Sequence, residues 1–128
     1  RSAMSQGGGE RPVLIAKYAQ TLNTLKSWTT AQEVLVFAVN AFPADATFPA
    51  RLGEVRLAQG RPLDAESSFR QALAIAPRNA QAYYGLGRVA FGQGRLEEAA
   101  RSLRTGLRYD PYHRDALTLL QRIQRENT

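Results

Sequence analysis

The sequence contains no cysteine, which excludes a disulfide framework, a zinc–thiolate site and a thiol nucleophile. That absence leaves cytoplasm and periplasm equally open. A single histidine, His113, has no second imidazole or thiolate to share a metal with. No uninterrupted apolar stretch approaches the roughly 18 residues that a membrane-spanning helix needs. The first ten residues also lack the apolar run of a signal peptide, so no membrane contact by this stretch of chain is expected. Lysine is scarce too: of 17 basic residues only Lys17 and Lys26 are lysine. The preference for arginine points to a GC-rich bacterial genome.

What is present suits one folded domain. The chain has 128 residues, 44% of them hydrophobic and 22% charged, enough for one core. The opening Arg1-Ser2-Ala3-Met4 and Gly7-Gly8-Gly9 carry no structure-forming pattern. Residues 1–11 therefore read as a flexible leader or cloning remnant, and the chain as a piece of a longer protein. The net charge of +6 invites a nucleic-acid reading, but the excess is spread along the chain. Arg70, Arg101, Arg104 and Arg108 alternate with Asp64, Glu66, Glu97 and Glu98, the pattern of a solvated helix face with its own ion-pair partners. A phosphate-binding stripe is the lesser alternative.

An internal repeat of 34 residues organises nearly everything else. Pro43, Pro77 and Pro111 keep that interval, as do Ala31, Ala65 and Ala99, then Leu35, Phe69 and Leu103, then Ala38, Ala72 and Gly106. Between the second and third units the match extends to Leu52-Gly53 with Leu86-Gly87, and Gln59-Gly60-Arg61 with Gln93-Gly94-Arg95. Each unit carries the pattern of a helical hairpin. Tyr83, Leu86, Gly87 and Ala90 form the stripe of a first helix, in which Gly87 lets a neighbour approach closely. Gly94 closes that helix in a left-handed conformation. Leu96, Ala99, Ala100, Leu103 and Leu107 form a second stripe, ended by Asp110-Pro111. In the second unit the turn is Gly60-Arg61-Pro62, with proline in a first helical turn. Helices of about 12 to 14 residues are expected, the usual length in globular folds.

These residues resemble the tetratricopeptide repeat family. Its pattern of aromatic, leucine-glycine, alanine and closing proline recurs as Tyr83, Leu86-Gly87, Gly94, Ala99 and Pro111, and as Leu52-Gly53, Gly60, Ala65, Phe69, Ala72 and Pro77. The first unit keeps Tyr18-Ala19, Ala31, Leu35, Ala38 and Pro43 but has Lys26 at the turn glycine. A longer or differently wound turn is expected over residues 26–30, with Thr29 or Thr30 capping through Gln32 or Glu33. Trp28 there reads as a packing plug more than a stacking platform. Residues 114–126 read as a single capping helix with Ala116, Leu117, Leu120 and Ile123 on its packed side. The resemblance implies an all-α, right-handed α-solenoid: three antiparallel helix-turn-helix repeats, 12–45, 46–79 and 80–113, plus that helix.

No catalytic constellation is visible, and no enzyme activity or cofactor is expected. His113 reads as a surface residue, Glu97 and Glu98 as partners of a helix dipole, and Gly85, Gly87, Gly92 and Gly94 as helix positions, not a nucleotide loop. The resemblance implies a concave surface lined by the first helices, where family members hold a partner peptide or helix. The lining candidates are Lys17, Gln20 and Asn23; Thr47, Arg51, Glu54 and Leu57; Gln81, Tyr84, Arg88 and Phe91; and Asp115, Thr118 and Arg122. Arg51, Arg88 and Arg122 suit an acidic peptide. Tyr84 and Phe91 read equally as apolar anchors or as buried packing. Chaperone-binding members grip a terminal carboxylate, at places corresponding here to Ala16, Gln20, Arg51, Gln81 and Gly85. Only Arg51 is basic, so an Hsp70 or Hsp90 tail is not expected. Self-association, or packing against adjacent repeats of a longer protein, is the other reading.

Overall fold

The structure, a computed structural model, describes residue 15 and residues 27–126. Six helices occupy the described residues: α1 Trp28–Ala41, α2 Thr47–Ala58, α3 Pro62–Ile75, α4 Ala80–Gly92, α5 Leu96–Tyr109 and α6 Arg114–Glu126. The chain is an all-α helical-repeat solenoid. The helix expected before α1 lies outside the described residues, apart from Ile15, which packs against the core.

The 34-residue period holds to the residue where second helices begin and end. α1, α3 and α5 start at Trp28, Pro62 and Leu96 and finish at Ala41, Ile75 and Tyr109. Each ends two residues before its proline, and the N–H of the residue after each donates to Ala38, Ala72 or Gly106 at 2.8, 2.8 and 2.9 Å. The turns into α3 and α5 are also alike. Gly60 and Gly94 have φ of +77° and +78°. The N–H groups of Arg61 and Arg95 reach back to the carbonyls of Arg56 and Ala90, both at 2.9 Å, while Gly60 and Gly94 donate to Leu57 and Phe91 at 3.0 Å. This paired closure satisfies carbonyls that a helix end leaves open, and only glycine adopts its conformation without steric cost.

The expectation of a longer turn before α1 is not met on its α1 side. Trp28, Thr29 and Thr30 are already helical, and Ser27 precedes them without a side-chain cap. Tertiary packing sets this start: half-buried Trp28 and Ile15 cover the cluster of Ala31, Leu35, Ala38, Phe48, Leu52 and Val55. Two further clusters continue the core along the array. Ala50, Ala65, Phe69, Ala72, Ala82 and Val89 join α2, α3 and α4; Ala90, Ala99, Ala100, Leu103, Ala116 and Ile123 join α4, α5 and α6. Each layer is built from neighbouring helices only, as stacked repeats require. In α6 the packed side is Ala116, Leu119, Leu120 and Ile123, whereas Leu117, assigned to it from the sequence, is 41% exposed. The stripe runs through 116, 119, 120 and 123, so 117 falls beside it.

Glycines set the spacing between helices. A Cβ on Gly85 of α4 would stand 2.2 Å from the Phe69 ring, and one on Gly53 of α2 would stand 2.5 Å from it. The ring of α3 therefore sits directly on backbone of both its neighbours. Gly87 admits Leu103 in the same way, at 2.8 Å, as its place in the stripe suggested. Gly85→Ala and Gly53→Ala are each expected to lower stability by about 1–3 kcal/mol, the cost of overpacking, despite alanine's better helix propensity. Gly92, with nothing within 4 Å of a Cβ, supplies the control: Gly92→Ala should raise stability by roughly 0.5–1 kcal/mol. Urea unfolding of the three variants checks both signs.

Candidate functional site

The first helices of successive hairpins, α2, α4 and α6, bring most of the candidate residues together. Thr47, Arg51, Glu54 and Gln81 line one hollow with Ala50 and Asn79, about 440 Å³ in volume. Tyr84, Arg88, Phe91, Asp115, Thr118 and Arg122 line a second with Leu119, about 330 Å³. Three- and four-residue spacing explains the grouping: Tyr84, Arg88 and Phe91 follow one line along α4, and Asp115, Thr118 and Arg122 another along α6. Leu57 does not join them, because it packs against the second core cluster. Lys17, Gln20 and Asn23 lie outside the described residues.

Tyr84 and Phe91 prove to be both packed and accessible. Each is half-buried against the third cluster, and each has a guanidinium over its ring. Arg88 lies 5.4 Å from the Tyr84 centroid and Arg122 5.0 Å from that of Phe91. Such cation–π contacts hold an arginine in place with its donors still turned to solvent.

A polar relay connects the hollows. The Gln81 amide donates to a carboxylate oxygen of Glu54, while Arg51 stands 3.8 Å from the same carboxylate. The Gln81 carbonyl lies 3.1 Å from His113 Nε2. His113 Nδ1 accepts the N–H of Ala116 at 3.1 Å, capping α6, and its ring packs against that of Tyr84, tilted by 41° with centroids 4.7 Å apart. Because Nδ1 accepts a backbone N–H, the imidazole proton resides on Nε2 and points at Gln81. Every bond in the relay then runs one way, from His113 through Gln81 to Glu54.

His113 is thus no plain surface residue, and the repeat held the signal. Asp45, Asn79 and His113 share one 34-residue column. Asp45 accepts the N–H of Thr47 at 3.0 Å, and Asn79 that of Ala82 at 2.9 Å. Asn79 and His113 cap α4 and α6 through the N–H three residues on, while Asp45 bonds the first residue of α2, whose N-cap Ala46 makes no side-chain bond. His113→Ala should cost about 0.5–2 kcal/mol through the lost cap, and His113→Asn should recover most of it; thermal unfolding of the pair measures both.

Electrostatically, Glu54 is the strained member. Burial pushes its carboxyl above the ordinary glutamate range, opposed by Arg51, the Gln81 hydrogen bond, Arg88 and His113. Burial likewise raises the Tyr84 phenol, with Arg88 acting against it and Asp115 and Glu54 adding to it. A carboxyl raised on folding contributes stability below its unfolded value, which is lost as pH rises through the folded one. At neutral pH Glu54 therefore opposes folding. Glu54→Gln should raise the melting temperature at pH 7, and the gain should disappear below the ordinary glutamate pKa of roughly 4.3. A melting temperature lowered by this change at pH 7 would mean that the Arg51 ion pair outweighs burial.

Ion pairs elsewhere follow helical spacing, with Arg70 on Glu66 at 2.8 Å, Arg61 on Asp64 at 2.7 Å and Arg95 on Glu98 at 3.0 Å. Among the described residues no group of three metal-ligating side chains occurs, and no helix is long and apolar enough to cross a membrane.

Comparison with known proteins bears on this arrangement. A family model described as tetratricopeptide repeat matches residues 56–123, and a second of the same description matches residues 27–80. No curated protein matches the chain in sequence. Solved structures with a similar fold include the first TPR domain of Spaghetti (RPAP3) bound to the HSP90 peptide SRMEEVD. It has a TM-score of 0.81 at 19% identity, over 91% of this chain and 93% of that one. The Arabidopsis OM64 TPR domain reaches 0.80 at 23% identity, over 93% and 98% of the two chains. The Yersinia enterocolitica type III secretion translocator chaperone SycD reaches 0.79 at 14%, over 98% and 92%.

Proposed function

The chain belongs to the tetratricopeptide repeat family, and from that premise we propose that it is a non-catalytic module that binds a segment of a partner protein on the face formed by α2, α4 and α6, in a scaffolding or assembly role. The observation that carries this reading is the convergence of Arg51, Glu54, Gln81, Tyr84, Arg88, Phe91 and Arg122 on two adjoining hollows. Polar, aromatic and basic groups gathered on one face suit recognition: aromatic side chains bury large area, and arginine meets carboxylates in a fixed fork. Glu54 supports the reading as well, since a buried acid that opposes folding marks a position kept for something other than stability.

The partner differs from the chaperone peptides bound by some structural relatives. One Spaghetti domain holds an HSP90 peptide, and the second TPR domain of human RPAP3 is described with an HSP70 peptide, SGPTIEEVD. In this chain the corresponding places carry Gln20, Gln81 and Gly85, with Gly85 buried against Phe69 and Arg51 facing Glu54. That set lacks the concentration of positive charge a terminal carboxylate needs.

A second reading, self-association or packing against neighbouring repeats, would use apolar side chains such as Leu63 and Phe37, which are 70% and 60% exposed; apolar groups favour contacts between proteins where they form one continuous patch. Sedimentation that stays monomeric across a wide concentration range would remove it.

Replacing Arg51 and Arg88 together by glutamate should abolish capture of the partner from a lysate of the source cells and leave the helical circular dichroism unchanged. Capture that survives the double replacement would move the contact to the outer helices α1, α3 and α5.

A further inference from the structure

The second hollow differs from the first in its aromatic lining. Its two aromatics, Tyr84 and Phe91, are both on α4, seven residues and so about 10.5 Å apart along the helix axis. The opposite wall is α6, which contributes Asp115, Thr118, Leu119 and Arg122. The hollow is therefore a trough running lengthwise between two helices. Each end holds the same pair of groups, an aromatic face with a guanidinium over it, at 5.4 Å for Tyr84 with Arg88 and 5.0 Å for Phe91 with Arg122.

We infer that this trough takes an amphipathic helix of the partner, lying along α4, with two apolar side chains seven residues apart and carboxylates placed beside them. The inference rests on the groove-binding reading above and specifies the occupant. Spacing argues for a helix. Residues seven apart on a helix share a face and lie about 10.5 Å from one another. In a β-strand, same-face residues recur at about 6.7 and 13.4 Å, and in a polyproline helix at about 9.3 Å. Of the three, only the helix puts an anchor at each aromatic without slippage.

Charge argues for the carboxylates. Two guanidiniums line the trough against one acid, Asp115. Arg122 reaches only the neighbouring Glu126, at 3.4 Å on the exposed surface, and no ion pair holds Arg88 among the described residues. Both arginines are already oriented by the rings beneath them, so a partner carboxylate meets donors whose freedom is largely spent.

The test is selection of a phage-displayed library of random peptides, long enough for four helical turns, on the purified full chain. Enriched peptides should carry large apolar residues at i and i+7 with Asp or Glu within one turn of each, and should gain helical circular dichroism on binding. Moving one anchor by two positions should weaken binding at least tenfold, and so should Arg88→Glu combined with Arg122→Glu, whose surface positions leave folding intact. Enriched peptides that contain proline or bind extended, yet are lost on the Arg51→Glu, Arg88→Glu protein, would overturn the helical occupant and keep the groove. No enrichment, or peptides indifferent to both double variants, would overturn groove and occupant together.

Discussion

The Phe69 ring pressed onto the backbone of two other helices is the contact on which the rest of the molecule depends. Gly53 and Gly85 leave no side chain between α3 and its neighbours, so three helices meet around one aromatic at a distance that larger residues would not permit. Close-packed interiors transmit such a constraint, because nothing yields cheaply around a fully buried ring. Leu103 against Gly87 repeats the device one unit on. The separation of α2 from α4, and of α4 from the helices after it, follows from these two contacts. The face that carries Arg51, Glu54, Gln81, Tyr84 and Arg88 inherits its dimensions from them.

On that face, folding and recognition share the same side chains. His113 closes the start of α6 with one ring nitrogen and orients Gln81 with the other, while its ring face steadies Tyr84. Gln81 in turn holds Glu54. A helix cap thus fixes the conformation of groups in both hollows, and a partner meets side chains whose rotamers are already chosen. Preorganisation of this kind lowers the entropy lost on binding. Glu54 marks the cost: its burial works against the charged form that the relay points toward.

Much of this was legible from the period of 34. The prolines, the turn glycines and the alanine columns placed the helices, because each residue type acts through local backbone geometry or through the need for a small side chain at a crossing. Most lining residues of α2, α4 and α6 were legible for a similar reason: once the buried stripe is known, helical periodicity decides what stands beside it, with core-packed Leu57 the exception. Four features were not. Trp28 begins α1 where a looser turn was expected, since the pull of the first core cluster outweighs the missing glycine. Leu117 lies beside the packed stripe of α6, and a terminal helix has too few neighbours to reveal its register. His113 reads from the sequence as a surface residue because histidine is a rare cap, although its column partners Asp45 and Asn79 belong to the common capping types. Gly85 drew attention only as one of several nearby glycines, and its contact with Phe69 is between units, beyond the reach of local pattern.

The central claim is that the partner lies on the face made by α2, α4 and α6. A photocrosslinking amino acid at Thr118, in the trough of that face, compared with one at exposed Gln71 of α3, tests it most directly in the source cells. The account predicts a covalent adduct with the partner from position 118 and none from 71. Adducts from 71 with none from 118 would contradict it.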